Sequence, residues 1–499
     1  MITRWNTIKL FIICSALTSI TNFPSAFTNS SVNTAVHEVR NFLNTSFALR
    51  DQHFSTQTHD LIHSTILNVW FAAQIFGSII APWFTDKLGR KAGYLFSTFI
   101  MTCGSAIQFL AIHVWSPELL MLGRFVAALC SPLSDACLIL YLQECSPIQL
   151  RGAFSFLGEI GYCLMCVLGM VLGMRSVLGD SLKKLLGFSI LPGALSMIFL
   201  FMIPETPKYL MITKRNRVKA LKSLQYYQGE KKENDRILDD FMRESTLDDA
   251  KKRSSIREVL STWHLRFAVL LALAVLVQTL SYYPILNSST KFFEHIGVDS
   301  ELAEFSSTGL FVAFTLACLF GSLFIDRYPR RFLVLSSGAL AILSLSLFVL
   351  FSMLAHLHVS IKFIAMASLY LYAITFGACL GPLSWFIAPE LVTQRHRSTL
   401  FCLCYGLNNI LIAITNFSVT SMYSRFGPII MVPFLIVPSI LCLVFIYFYL
   451  PETLGKETHE IVHEIRCIKK RKCAADPEDS NSSSSSEDSE ESEQKNPMV

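Results

Sequence analysis

Two carboxylic acids, Asp135 and Glu159, stand inside long apolar stretches of the chain. A charged side chain in a hydrocarbon layer costs at least about 2.5–3.5 kcal/mol, so each must face protein or water and each is a candidate for function. Glu159 falls seven residues into an apolar segment at 152–174, about 10 Å along a helix. Asp135 precedes Glu144 by nine residues, at a similar depth. A carboxyl there can carry a proton, pair with a cation, or accept hydrogen bonds from hydroxyls. Glu159 therefore reads as a protonatable ligand in a cavity. The plainer alternative is a protonated Glu standing in for an amide.

A second set of charges lies at segment ends. Asp86-Lys87-Leu88-Gly89-Arg90-Lys91 follows the second apolar segment, and Asp326-Arg327-Tyr328-Pro329-Arg330-Arg331 follows the eighth. Glu144, Glu205, Glu390 and Glu452 are carboxylates with basic residues close in sequence, in Glu144–Gly152, Pro204–Leu210, Pro389–Arg397 and Pro451–Glu457. Gly123-Arg124 is read as opening the fourth segment. Acids and bases so placed can pair across short turns. Glu144 and Glu390 with Arg90, Arg151, Arg330 and Arg397, flanked by Asp86 and Asp326, are expected to form a salt-bridge network between two domains. No nucleophile–base arrangement, phosphate loop or metal-ligand cluster has convincing spacing, so an enzyme is not indicated and no cofactor or metal is implied. No filter segment suggests a channel.

The elements that position these groups follow from composition. Hydrophobic types make up 52% of the 499 residues and charged types 16%, against about 25% charged in a soluble domain. This excludes a soluble multidomain enzyme, a secreted disulfide scaffold and a disordered regulator. Twelve apolar segments lie near 9–29, 62–84, 93–113, 119–142, 152–174, 184–204, 265–286, 302–325, 332–355, 361–388, 398–422 and 427–450. Each is long enough, at about 1.5 Å per residue, to cross a hydrocarbon layer of about 30 Å. Lipid offers no partner for backbone N–H and C=O, so the spans must be helices. Arg4 and Lys9 before the first segment resemble a leader, but its removal would leave eleven spans and unpair the halves.

The predicted organisation is a short N-terminus at 1–8, a six-helix bundle at 9–204, a charged helical linker at 205–264, a second bundle at 265–450 and a tail at 451–499. Lys and Arg crowd the connections 85–91, 326–331, 389–397 and 205–264, which places them and both termini in the cytoplasm. The 30–61 connection is then an external loop, and Asn44-Thr45-Ser46 within it is a glycosylation acceptor. The 14 cysteines lie mostly in apolar runs, so no disulfide framework is expected. Gly169 and Gly173 form a close-packing step in the fifth segment. Beyond a basic patch at Arg466 and 469–472, the tail from about 474 is acidic and Ser-rich. It is expected to be disordered and to present phosphorylation or protein-binding sites.

The ordered motifs Asp86–Lys91, Glu144–Gly152, Pro204–Leu210, Gly381-Pro382-Leu383-Ser384-Trp385-Phe386 and Pro451–Glu457 resemble those of the sugar porter, or facilitative glucose transporter-like, family of the major facilitator superfamily, over nearly all of 1–460. The resemblance implies an all-α integral membrane protein with twelve transmembrane helices in two six-helix bundles, a central site between them, and alternating access. It also implies a small-molecule substrate, a bilayer rather than a nucleic acid as partner, and the plasma membrane as location. Transport is facilitative or proton-coupled, the proton then being a co-substrate.

Hydroxyl-covered solutes need amides and an aromatic face. By resemblance, Gln278 matches the second glutamine of span 7, Trp385 the span 10 tryptophan and Asn408 the span 11 asparagine, while Gly381 and Pro382 match the breaker that bends span 10. Other positions depart. The family's span 7 asparagine is Tyr283, its first span 7 glutamine Val277, its span 8 asparagine Phe314, its span 10 acid Gly377, its span 11 tryptophan Asn409 and its span 5 glutamine Glu159. The expected substrate set is Gln278, Trp385, Asn408, Glu159, Tyr283 and Asn409. A hexose or related sugar or polyol is the first reading. A non-sugar organic solute, or a solute sensor that does not transport, is the alternative.

Overall fold

The apolar segments do become helices, and the polar residues between them decide where those helices bend and how they meet. In the computed structural model, residues 4–51, 56–147, 151–230, 233–249, 256–321, 327–392, 394–453, 456 and 460–466 are described; they contain no strand. Eleven helices among them are long and apolar enough to cross a membrane. They are spans 1 (Ile8–Thr34), 2 (Leu61–Ala81), 3 (Arg90–Val114), 4 (Pro117–Leu142) and 6 (Leu182–Met202), then 7 (Trp263–His295), 8 (Ser300–Gly321), 9 (Arg330–Leu354), 10 (Val359–Trp385), 11 (Thr399–Ile430) and 12 (Val432–Tyr449). Span 5 is the helix Arg151–Gly173, apolar over Leu157–Gly173. The chain is thus a multi-pass integral membrane protein.

Spans 3 and 4, 3 and 6, and 1 and 5 pack within the first half; spans 9 and 10, 8 and 10, and 7 and 12 pack within the second. The halves meet through spans 2 and 11, 5 and 8, and 1 and 7. Exchanging each span with the one six places on maps the 2–11 contact onto 8–5 and the 1–7 contact onto itself. That is the signature of a duplicated bundle pair about a pseudo-twofold axis. A Cβ on Gly169 or Gly173 would come within 2.1 Å of Ser30 Oγ or Thr34 Oγ1. The small-residue step therefore packs span 5 onto span 1.

The duplication extends to helix breaks. Span 4 is interrupted at Cys130, with Pro132 second in the helix Ser131–Cys145. Its counterpart, span 10, widens into a π turn at Phe376–Leu380, with Pro382 second in the helix Gly381–Glu390. Proline lacks the N–H that would continue the ladder, so the helix must open ahead of it. At Gly381 a Cβ would lie 2.6 Å from the Phe376 ring.

Three sequence expectations change. The 30–61 connection is not an open loop: helix Val36–Ala48 follows span 1, and Val39, Phe42, Leu43 and Phe47 bury one face of it. Span 7 runs past the apolar segment to His295, with a kink at Ser288 (φ −143°, ψ 15°). Arg124 does not open span 4; it is fully buried along it, its guanidinium 5.8 Å from the Trp70 ring centre.

Between the halves run the helices Pro207–Ile212, Arg217–Gln228, Asn234–Asp249 and Ile256–Ser261. The Tyr227 hydroxyl donates to Pro204 O at 2.7 Å and Lys9 donates to Tyr226 O at 3.1 Å. These tie the linker to the first bundle, on the face that carries the chain ends. This is called the terminal face below, and its opposite the far face.

Candidate functional site

Asp135 lies four residues past the first residue of the broken span 4 helix, Ser131, and Glu159 lies on span 5; both are partly exposed. They are close enough to interact electrostatically, and Tyr283 of span 7 lies within range of both. Among the described residues, neither carboxylate has a hydrogen bond or ion pair. Gly158 adjoins open space: a Cβ there would meet nothing within 4 Å. Two acids about 10 Å inside their spans, with open space beside Gly158, are placed to meet water or ligand. Across the boundary, the Phe71 ring of span 2 meets the Tyr283 ring edge-on at 5.3 Å.

The positions matched by resemblance separate. The Gln278 amide donates to Ser439 O of span 12 at 2.8 Å, and its Oε1 faces Gly338 of span 9. It borders a small cavity inside the second bundle together with Ser281, Tyr372 and Ser439. Trp385 packs against Phe401 and Tyr405 of span 11 at 6.0 and 5.5 Å. Asn409 donates to Tyr405 O on its own helix at 3.1 Å. Asn408 is fully buried, and neither its amide nitrogen nor its oxygen has a hydrogen-bond partner among the described residues. A buried amide left unsatisfied costs about 1–3 kcal/mol, so Asn408 is the matched residue with capacity left for a ligand hydroxyl.

Two departures from the family pattern prove to be one structural exchange. A Cβ at Gly377 would lie 2.5 Å from Phe314 O and 2.7 Å from its ring. Phe314 on span 8 thus fills the space that a side chain on span 10 would need. Tyr282 stacks flat on Phe376 at 4.6 Å, and Phe314 meets both rings at 5.4 and 5.8 Å. An aromatic cluster of Tyr282, Phe314 and Phe376 thus joins spans 7, 8 and 10 beside these two departures.

At the terminal face, two ion pairs within the halves are seen among the described residues. Arg90 contacts Glu144 at 2.9–3.0 Å, and the Thr206 hydroxyl donates to the other Glu144 oxygen. Arg330 pairs with Glu390. These pairs link spans 3 and 4 and spans 9 and 10. The side chains of Asp86, Arg151 and Arg397, and all of Asp326, lie outside the described residues. A parallel set was only half visible in sequence. Glu205 accepts from Lys91 N at 3.0–3.1 Å, and Glu452 accepts from Arg330 N and Arg331 N at 2.8 and 3.1 Å. Each carboxylate after the last span of a half caps the third helix of that half, meeting its free N–H groups and positive dipole end. Burial pushes the Glu205 carboxyl above the usual carboxylate range, against the pull of the amides it accepts from. The Pro-Glu-Thr repeat was the signal for this role.

The far face is closed. Asn33 of span 1 donates to Ser289 Oγ of span 7 at 2.8 Å and accepts from Thr290 N at 3.4 Å. Asn416 of span 11 donates to Asn68 Oδ1 of span 2 at 2.9 Å. Asn44 is exposed on helix Val36–Ala48 at this face.

Residues 10–464 match the family described as sugar (and other) transporter. The chain is 25% identical to facilitated glucose transporter member 3 of Canis lupus familiaris, over 90% of this chain and 91% of that one. It is 27% identical to member 1 of Gallus gallus, over 86% and 88%. Among solved structures, the inward open conformation of the xylose transporter XylE from E. coli superposes with a TM-score of 0.71 at 15% identity, covering 92% of this chain and 99% of that one. The proton:xylose symporter XylE bound to 6-bromo-6-deoxy-D-glucose gives 0.70 at 14%, over 93% and 99%. The fold is therefore the two-bundle major facilitator fold.

Proposed function

The chain belongs to the sugar (and other) transporter family, and on that premise we propose that it carries a hydroxyl-rich organic solute, a hexose or related sugar or polyol, across a membrane by alternating access. The observation that carries the proposal is the pair of acids within the spans. Asp135 and Glu159 lie partly exposed between helices whose bundles are tied together at the far face. The terminal face is cytoplasmic, on the distribution of Lys and Arg, so the conformation is the one closed to the outside. Relatives named as facilitated glucose transporters point to the plasma membrane.

Glu159 serves as the proton-binding or hydroxyl-accepting group, Asn408 as the free amide, and Trp385 and Tyr283 as apolar walls against which a sugar's C–H surface rests. Asn409 and Gln278 act on the helices that carry these groups, since their amides are engaged within the second bundle. Glu144 with Arg90, and Glu390 with Arg330, hold each bundle rigid while it pivots. The bilayer surrounds the spans, and the acidic tail, outside the described residues, offers a docking segment for a cytoplasmic protein.

The test is uptake of a labelled panel of hexoses, pentoses and polyols into liposomes holding the purified protein, at pH 5.5 and 7.5. Saturable flux of at least one member is expected. If that flux ignores pH and survives Glu159→Gln, Glu159 carries no coupled proton. A second reading, binding without transport, draws on the aromatic cluster of Tyr282, Phe314 and Phe376, in which Phe314 stands at the position of the family's span 8 asparagine. Binding of a panel member without flux would favour it.

A further inference from the structure

The far face carries a charged cluster spanning both bundles, apart from the asparagine contacts. His37, on the helix after span 1, places Nε2 3.0 Å from Glu294 Oε1 at the end of span 7 and 2.9 Å from Ser300 Oγ at the start of span 8. Ser300 Oγ in turn donates to Glu294 Oε1 at 3.1 Å. Alongside, Arg175 from the connection between spans 5 and 6 lies 3.7 Å from Glu38 and 4.0 Å from Glu304, and its backbone N–H donates to Glu304 at 3.4 Å. One imidazole and one guanidinium from the first bundle thus meet two carboxylates of the second.

We infer that this cluster is a proton-sensitive latch: protonation of His37 ties Glu294 to the first bundle and holds the far face shut. The inference rests on the alternating-access reading and concerns what biases the cycle, not what is carried.

The charge balance sets the direction. Facing His37 are Glu38 on its own helix, Glu294 on span 7, Glu304 on span 8 and Arg175 from the 5–6 connection. Arg175 contacts Glu38 and Glu304, while His37 is the group placed against Glu294 Oε1. Lys291 and His295 complete the titratable groups at that end of span 7, and the exposed Asp299 and Glu301 flank Ser300. A proton on the ring adds a full positive charge to a hydrogen bond whose acceptor is already ionised, turning it into an ion pair. Imidazole is the side chain that makes this change between pH 8 and 5. Opening the far face separates His37 from Glu294, so the gain belongs to the closed state alone and acid shifts the population toward it. The pair is partly exposed, 32% and 22% for its side chains, which keeps the effect modest. A threefold to tenfold change in the closed-to-open ratio between pH 8 and 5.5 is the expected size, on the order of such switches.

The experiment places spin labels through unnatural amino acids at exposed Asp180 and His358, one in each half, in full-length protein in lipid nanodiscs. Pulsed electron resonance then reads the far-face distance at pH 5.5 and pH 8. The latch predicts that the short-distance population rises threefold to tenfold in acid, and that His37→Gln and Glu294→Gln each flatten the response while both populations persist. A pH response that survives His37→Gln, or an unresponsive wild type, overturns it. A far face that never opens at either pH also overturns it and takes alternating access with it. Opening that ignores pH leaves alternating access standing.

Discussion

Asn33→Ala offers a quantitative test of how the far face closes. Asn33 is 1% exposed and makes one short hydrogen bond across the bundles, to Ser289 at 2.8 Å, and one long one, from Thr290 N at 3.4 Å. Thr290 follows the kink at Ser288, and its N–H donates across the boundary to Asn33 at 3.4 Å. Removing the amide leaves both groups without that partner only while the face is closed; opening hydrates them. A neutral hydrogen bond contributes about 0.5–1.5 kcal/mol net, and an orphaned buried group costs somewhat more. The closed state should lose about 1–2 kcal/mol, a shift of roughly 5- to 30-fold toward the open one. Hydrogen–deuterium exchange reads this directly. Amides of helix Val36–Ala48 and of span 7 beyond Ser288 should exchange faster by that factor, with those of span 9 unchanged. Exchange within threefold of wild type at both far-face segments would refute the reasoning.

The other predictions follow from single contacts. Glu452→Ala and Glu205→Ala should each cost about 1 kcal/mol by uncapping spans 9 and 3, seen as a thermal melting point lower by a few degrees in detergent, with the Gln variants intermediate. Gly377→Ala drives a methyl against the Phe314 carbonyl and ring and should cost about 1–3 kcal/mol by overpacking; an unchanged melting point would show that span 8 yields freely. Asn44→Gln should abolish an endoglycosidase-sensitive mobility shift on expression in glycosylating cells, and a shift that persists would move the acceptor elsewhere.

The apolar runs made twelve helices and two bundles legible because a span must be long, apolar and helical to exist in lipid. Residues that only tertiary contacts organise were less legible. Helix Val36–Ala48 has little net hydropathy, and its Val39, Phe42, Leu43 and Phe47 face had to be read as a helical stripe instead of as loop residues. Span 7 outran its apolar segment because Ser289 and Thr290 find polar partners on span 1 in place of lipid. Gln278 kept the family's residue type, but Ser439 and Gly338 draw it into the second bundle, which no linear pattern reports. The reciprocal fit of Phe314 and Gly377 looked like two unrelated losses in sequence. Asp135 and Glu159 were conspicuous at once, since a charge in an apolar run needs an explanation.

The central claim is that the bundles pivot about a shared midpoint and that solute crosses only when they do. A cross-link between the bundles tests it most directly. Asn33→Cys with Ser289→Cys, whose wild-type side chains touch at 2.8 Å, should form a disulfide that fixes the far face shut. Labelled-solute uptake into proteoliposomes should fall to background on oxidation and return on reduction, while oxidised single-cysteine controls keep their flux. Uptake that continues unchanged with the cross-link fully formed would contradict the account.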